Sequence, residues 1–234
     1  MSKRSVIGLV YMLQGAKLLG VDTVPILAKH GLQLDQLNPA AEIDRQQEVA
    51  ILDELAQSCD NPLAGLHIGE AISTAGYGVF TMLLMTCNNA EHALKTGVAY
   101  QQLAYLHGGL RVDFGAESTA LIIDPIPLPA TSRRIVIDGD LAGTVKLLRD
   151  LQAQFGVLLA AKAKEIWVPY AKPKEYRAYE DYYQCPVRFD APEARIILPS
   201  VILQIPFLTA NPTAHLLYKQ QCDALLAQRF HNDG

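Results

Sequence analysis

Apolar positions over the first ~105 residues recur at the three-to-four-residue spacing of helices that bury one face. Val6, Val10, Leu13 and Leu18 mark a first helix, with Gly20 where it can stop. Residues 24–29 read as a short second helix followed by Gly31, and residues 43–57 as a third that buries Val49, Leu52, Leu55 and Ala56. Asn61-Pro62 sets a capping residue before a proline suited to a first helical turn, which predicts a fourth helix over 63–71. Gly76-Tyr77-Gly78 resets the chain ahead of an apolar helix ending near Met85. Asn88 or Asn89 then caps another, carrying Ala93, Leu94, Val98 and Gln101 toward Leu106.

The period then changes. Leu110, Val112 and Phe114 alternate with Arg111 and Asp113, and residues 119–124 supply the returning strand of a hairpin. Pro125, Pro127 and Pro129 forbid helix and central strand alike. Thr131 or Ser132 caps a long helix whose Leu141, Val145, Leu148, Leu151, Phe155 and Leu158 form a wide apolar stripe. Ile166-Trp167-Val168, residues 186–189 and residues 195–198 read as further strands, with a short helix over 174–183. Asn211-Pro212 opens a last helix reaching about residue 230. The expected class is α+β: a helical N-terminal half over about 1–107, then a small, mainly antiparallel sheet backed by one long helix over 108–234.

Composition narrows the function classes. Half of the 234 residues are hydrophobic and 19% are charged, which excludes a disordered chain. A formal net charge of −4 argues against coating nucleic acid, which needs a basic surface. No apolar run reaches the ~18 residues of a membrane span, so no membrane partner is expected. The basic start, Lys3-Arg4, lacks the apolar region of a secretory leader, and the expected location is the cytoplasm. Cys59, Cys87, Cys185 and Cys222 are then expected as isolated thiols rather than disulfides.

Catalytic and cofactor signatures are largely missing. There is no phosphate-cradling glycine loop, no serine elbow and no HExxH, and neither a cofactor nor a metal is expected. His67 and Glu70 lie one helical turn apart, as an ion pair or one edge of a metal site. His107, ahead of Gly108-Gly109, stands where a helix is expected to end and can cap it or meet a ligand. Arg133 and Arg134 begin the long helix against its dipole, which a carboxylate or an anionic ligand would offset. Tyr179 shares a helical face with Tyr176 and Tyr183 soon after Trp167, as core or as pocket wall. Tyr100, Tyr105, His107 and Arg111 bring polar tips to the join between the two halves, the usual place for a small ligand. The candidate ligand-binding set is therefore Tyr100, Tyr105, His107, Arg111, Arg133, Arg134, Trp167 and Tyr179. On the last helix Tyr218, Cys222, Leu225 and Leu226 form a stripe for packing on the domain or on a second copy.

Three blocks carry a family resemblance: Asn61-Pro62-Leu63-Ala64-Gly65-Leu66-His67-Ile68-Gly69-Glu70; Gly76-Tyr77-Gly78-Val79-Phe80 leading to Met85-Thr86-Cys87-Asn88-Asn89-Ala90-Glu91-His92-Ala93-Leu94; and Tyr179-Glu180-Asp181-Tyr182-Tyr183-Gln184-Cys185-Pro186-Val187-Arg188-Phe189-Asp190-Ala191-Pro192. The chain resembles the N-terminal, arabinose-binding-type domain of AraC/XylS-like bacterial transcription regulators. It departs from the family pattern at Asp190, where that pattern has glycine. The resemblance implies a sensor and dimerisation module rather than an enzyme: an unknown small effector, a homodimer, and DNA read by a C-terminal helix-turn-helix part outside these residues. Two other classes stay open, an enzyme of unrecognised type using His107 or Cys185 and a ligand-free protein-interaction module.

Overall fold

The computed structural model describes residues 3–38, 41–124, 126–155 and 162–231. Pro125, Leu158 and the side chains of Thr131 and Phe155 lie outside them. The α+β class holds.

The helical half contains a strand pair. β1 (Lys3–Ser5) runs antiparallel to β2 (Glu42–Asp44), so Ile43 belongs to a strand and not to the third helix. Around this ribbon pack α1 (Ile7–Leu18), α2 (Val24–Lys29), α3 (Arg45–Gln57) and α4 (Ala64–Glu70). Asp44 starts α3 by accepting the Gln46 and Gln47 N–H groups. Asn61 accepts the Leu63 N–H at 2.9 Å one residue before α4 begins. α5 (Val79–Met85) follows Gly78, whose φ of +54° no β-carbon-bearing residue adopts readily. α6 (Ala90–Ala99) is capped by Asn89, which accepts the His92 N–H, and it stops well short of Leu106.

β3 (Leu110–Phe114) and β4 (Ser118–Ile123) form the hairpin. α7 (Ala130–Phe155) crosses next, followed by β5 (Glu165–Trp167), α8 (Tyr176–Tyr183), β6 (Val187–Arg188), β7 (Ala194–Pro199) and α9 (Pro212–His231). The sheet order is β3-β4-β7-β5-β6, antiparallel except for the β5–β6 pair. The α7 start differs from the expected cap. Ser132 is already helical, and its hydroxyl donates to Asp53 across to α3.

α7 is the axis of the molecule. Ile137, Leu141 and Val145 pack on sheet residues Leu121, Ile123, Ile166 and Ile196, while Val136 joins Leu9, Leu13, Ile51 and Leu52 of the helical layer. Every residue from 136 to 145 is buried. Such enclosure requires small residues where helices meet. A β-carbon on Gly69 of α4 would lie 2.6 Å from both the Ala142 Cβ and the Gly139 carbonyl oxygen. A third cluster joins α5, Tyr77, Tyr100 and Tyr105 to Cys222 of α9.

Candidate functional site

A groove of about 620 Å³ opens between the β1–β2 ribbon and the chain from the end of α6 to Gly108. Lys3, Arg4, Glu42 and Arg45 line one side, and Gln101, Gln102 and His107 the other. Its floor is a charge network. Glu48, fully buried, faces Arg4 Nε at 3.4 Å and Arg45 Nη1 at 3.0 Å. Both guanidiniums donate to the His107 carbonyl oxygen, Arg4 at 2.7 Å and Arg45 at 2.6 Å, and Arg4 also donates to the Leu106 carbonyl. A buried carboxylate is tolerable only when paired in this way.

The network continues into α7. Asp140 accepts the His107 backbone N–H at 3.0 Å, and its other oxygen lies 2.8 Å from His107 Nδ1. His107 thus joins the groove floor to the central helix through both its backbone and its ring. Two residues earlier, on the opposite side of α7, Asp138 accepts the Tyr179 hydroxyl at 2.7 Å and the Tyr170 hydroxyl. Arg134 completes this second cluster, donating to Tyr179 Oη at 2.8 Å and standing 3.8 Å from Asp138. Burial is the largest influence on the Asp138 carboxyl and pushes it up to about 6, against the pull of the two tyrosines and Arg134.

Comparison with known proteins decides the family. Residues 20–207 match the model of the N-terminal arabinose-binding domain of AraC transcription regulators. The chain belongs to this family. Among curated relatives of this AraC-type domain, the ornithine utilization regulator of Pseudomonas aeruginosa is 25% identical over 174 residues, covering 72% of this chain and 48% of that one. The uncharacterized HTH-type transcriptional regulator Rv1395 of Mycobacterium tuberculosis is 24% identical over 220 residues, covering 92% and 63%. The crystal structure of the transcriptional regulator CdpR from Pseudomonas aeruginosa shares the fold at a TM-score of 0.67 and 18% identity, covering 94% of this chain and 65% of that one. The AraC-type domain therefore spans about half to two thirds of the length of these relatives.

Within the AraC-type domain, the residues singled out from sequence fall in several places. His107 reaches the groove, but α6 ends at Ala99 and its ring pairs with Asp140, so it caps no helix. Tyr100 and Tyr105 lie behind the groove wall: the Tyr100 hydroxyl donates to Asp223 of α9, and the Tyr105 ring stacks on Tyr77 and Tyr11. Arg134 and Tyr179 meet at Asp138, beside a small cavity of about 150 Å³. Arg133 turns back to the Leu128 carbonyl. Arg111 is exposed and paired with Asp124 and Glu193, and Trp167 lies between Arg188 and Arg195. On α9, Cys222 is buried in the domain, Tyr218 and Leu226 pack partly against the same cluster, and Leu225 is exposed.

Sequence reasoning missed Arg4, Arg45, Glu48 and Asp140. Glu48 carried the one available signal, an acid facing inward on a helix with Leu52 and Leu55. The four cysteines are free thiols, and Cys185 is held above the ordinary thiol range by burial. Among the described residues a single cluster of metal-ligating type occurs, Cys87 with His92 and His215, away from the groove. No helix of the described residues is long and apolar enough to cross a membrane.

Proposed function

We propose that this chain is the effector-sensing domain of a cytoplasmic AraC-type regulator, and that the groove over His107 holds a small effector bearing a carboxylate. One observation carries the reading: two guanidiniums converge on the His107 carbonyl at the groove floor, while the same residue's ring is tied to α7. A ligand carboxylate would compete with that carbonyl for the bidentate donors of Arg4 and Arg45, and Glu42, on the same side of the groove, would receive an ammonium group. The wall that such a ligand would touch, from Val98 to Gln102, contains Tyr100, whose hydroxyl holds Asp223 of α9. Occupancy would then bias the seating of α9, by as much as the ligand prefers one seating over the other. DNA would be read by a part of the protein outside these residues. Homodimerisation would use the outer side of α9, where Leu216, Leu217 and Leu225 are exposed.

An enzymatic reading has weaker support. His107 is 3% exposed, and a methyl group at Gly8 would lie 3.3 Å from its Nε2, so that nitrogen abuts backbone. Cys185, with its thiol pushed up by burial, is a poor nucleophile.

The test is calorimetric titration and thermal shift of the protein with free amino acids and short carboxylic acids. The name of the ornithine utilization relative makes basic amino acids the first choice. At least one compound is expected to bind, and Arg45→Ala to weaken it about tenfold or more, the worth of a charge-assisted hydrogen bond. Absence of binding across the panel, or equal binding by Arg45→Ala, overturns the groove assignment.

A further inference from the structure

We propose that Cys87, His92 and His215 form a binding site for a divalent transition-metal ion of the zinc class, which pins α9 to the end of α5 and the start of α6. This site shares no residue with the groove and does not rest on it. Cys87 lies just past α5, His92 in the first turn of α6 and His215 in the first turn of α9, so three separate segments each supply one donor.

The geometry is close to that of a bound ion. The thiol sulfur and the ring nitrogens all lie within 4.8 Å of one another, with Cys87 Sγ 3.9 Å from His215 Nδ1. In a tetrahedral zinc site these donors stand about 3.4–3.6 Å apart, so an ion would shorten the separations by up to about 1.4 Å. One thiolate and two imidazoles are a donor set that suits zinc and disfavours calcium or magnesium. Three protein ligands leave one coordination position for water.

The supporting shell is already in place. Cys87 is buried, with its sulfur against the Leu83 carbonyl at 3.5 Å and Thr96 Oγ1 at 3.6 Å. The Leu83 carbonyl is also a hydrogen-bonding partner of His215. His92 Nδ1 accepts the Asn88 N–H at 3.2 Å in a solvent-exposed contact that coordination through that atom would replace. The segment before α9 is fastened to the same corner: Thr209 donates to the Met85 carbonyl at 2.6 Å and the Phe207 N–H to Asn88 at 2.9 Å. On binding, the Cys87 sulfur–hydrogen bond breaks, its proton passes to solvent and a sulfur–metal bond forms, with no change of oxidation state.

The experiment titrates chelator-stripped protein with Zn²⁺ alone by calorimetry, and with Co²⁺ followed by absorption. The proposal expects one ion per chain, a thiolate-to-cobalt charge-transfer band lost in Cys87→Ser, and a thermal midpoint raised by Zn²⁺. His92→Ala and His215→Ala should each weaken zinc more than about 100-fold, beyond the usual loss from an outer-shell change. His92 is half-buried and only its ring is removed, so that variant tests the site even if Cys87→Ser fails to fold. Absence of zinc binding overturns the proposal. So does binding that survives in His92→Ala, or that depends on Cys59 or Cys185 instead.

Discussion

Asp138→Asn is expected to change how stability depends on pH. Asp138 is 1% exposed, and burial lifts its carboxyl from 3.8 to about 6. The folded-state value exceeds the unfolded one, so the folded chain holds this proton more tightly. That contribution is full below the unfolded value and is lost as pH rises through about 6. The interval of about 2 pH units, at about 1.4 kcal/mol each, amounts to about 3 kcal/mol, of which about 2 kcal/mol falls between pH 4.5 and 7. Asparagine cannot ionise. It also gives one tyrosine hydroxyl an amide where a carboxylate oxygen stood, a cost independent of pH that leaves the slope untouched. Urea unfolding of both proteins across that range, followed by the fluorescence of the single tryptophan, measures the difference in stability. Parent minus variant should fall by about 2 kcal/mol as pH rises. A flat or rising difference would falsify the assignment of Asp138 as a carboxyl whose ionisation burial opposes.

Two further outcomes follow from backbone geometry. Gly69→Ala should lower stability by about 1–3 kcal/mol, because its β-carbon meets the Gly139 carbonyl and the Gly143 nitrogen, at 2.6 and 2.7 Å, and neither can move aside without parting α4 from α7; an unchanged urea midpoint contradicts this. Asp190 has a φ of +52° at the turn where the family pattern has glycine. Asp190→Gly should raise stability by about 0.5 kcal/mol, the left-handed strain of about 1–2 kcal/mol relieved less the extra chain entropy of glycine; a lower thermal midpoint argues against strain at this turn.

Most of the fold was legible because it follows local rules. The alternation of Leu110, Val112 and Phe114, the Asn89 cap of α6 and the proline opening α9 each have a short-range cause. β1 was not legible, because Lys3-Arg4-Ser5 has no apolar alternation; the strand exists through its pairing with Glu42–Asp44. The site was less legible for the same reason. Asp140 and His107 are 33 positions apart, and Arg4 and His107 are 103 apart, so only tertiary packing brings them together. Cys87 and His92 are five residues apart, a spacing no helical or strand period favours, and His215 comes from α9. The sequence sets Arg133 and Arg134 at the start of the long helix, but α7 opens at Ala130, so Arg134 is its fifth residue. Its partner Asp138 sits one turn along the same helix, an i, i+4 pair the sequence displays.

The arrangement of α7 also constrains how a ligand in the proposed groove would act. Its contacts with α4 pass through glycines on both helices, with backbone against backbone, and such an interface does not deform by small steps. Movement of the His107 carbonyl must therefore displace the α4–α7 pair as a unit or bend the chain that carries His107. The first would disturb the sheet core, where Ile137, Leu141 and Val145 are packed, and would strain the buried Asp138 cluster. The second costs the His107 bonds to Asp140 but otherwise involves the turn from Gln101 to Leu103 and the irregular chain after it, which has few ladder hydrogen bonds to break. The softer element is thus the groove wall itself, which reaches α9 through Tyr100 and Asp223. A signal from the groove would go toward α9 and leave the sheet undisturbed, and a metal ion at Cys87, His92 and His215 would oppose it by holding the start of α9.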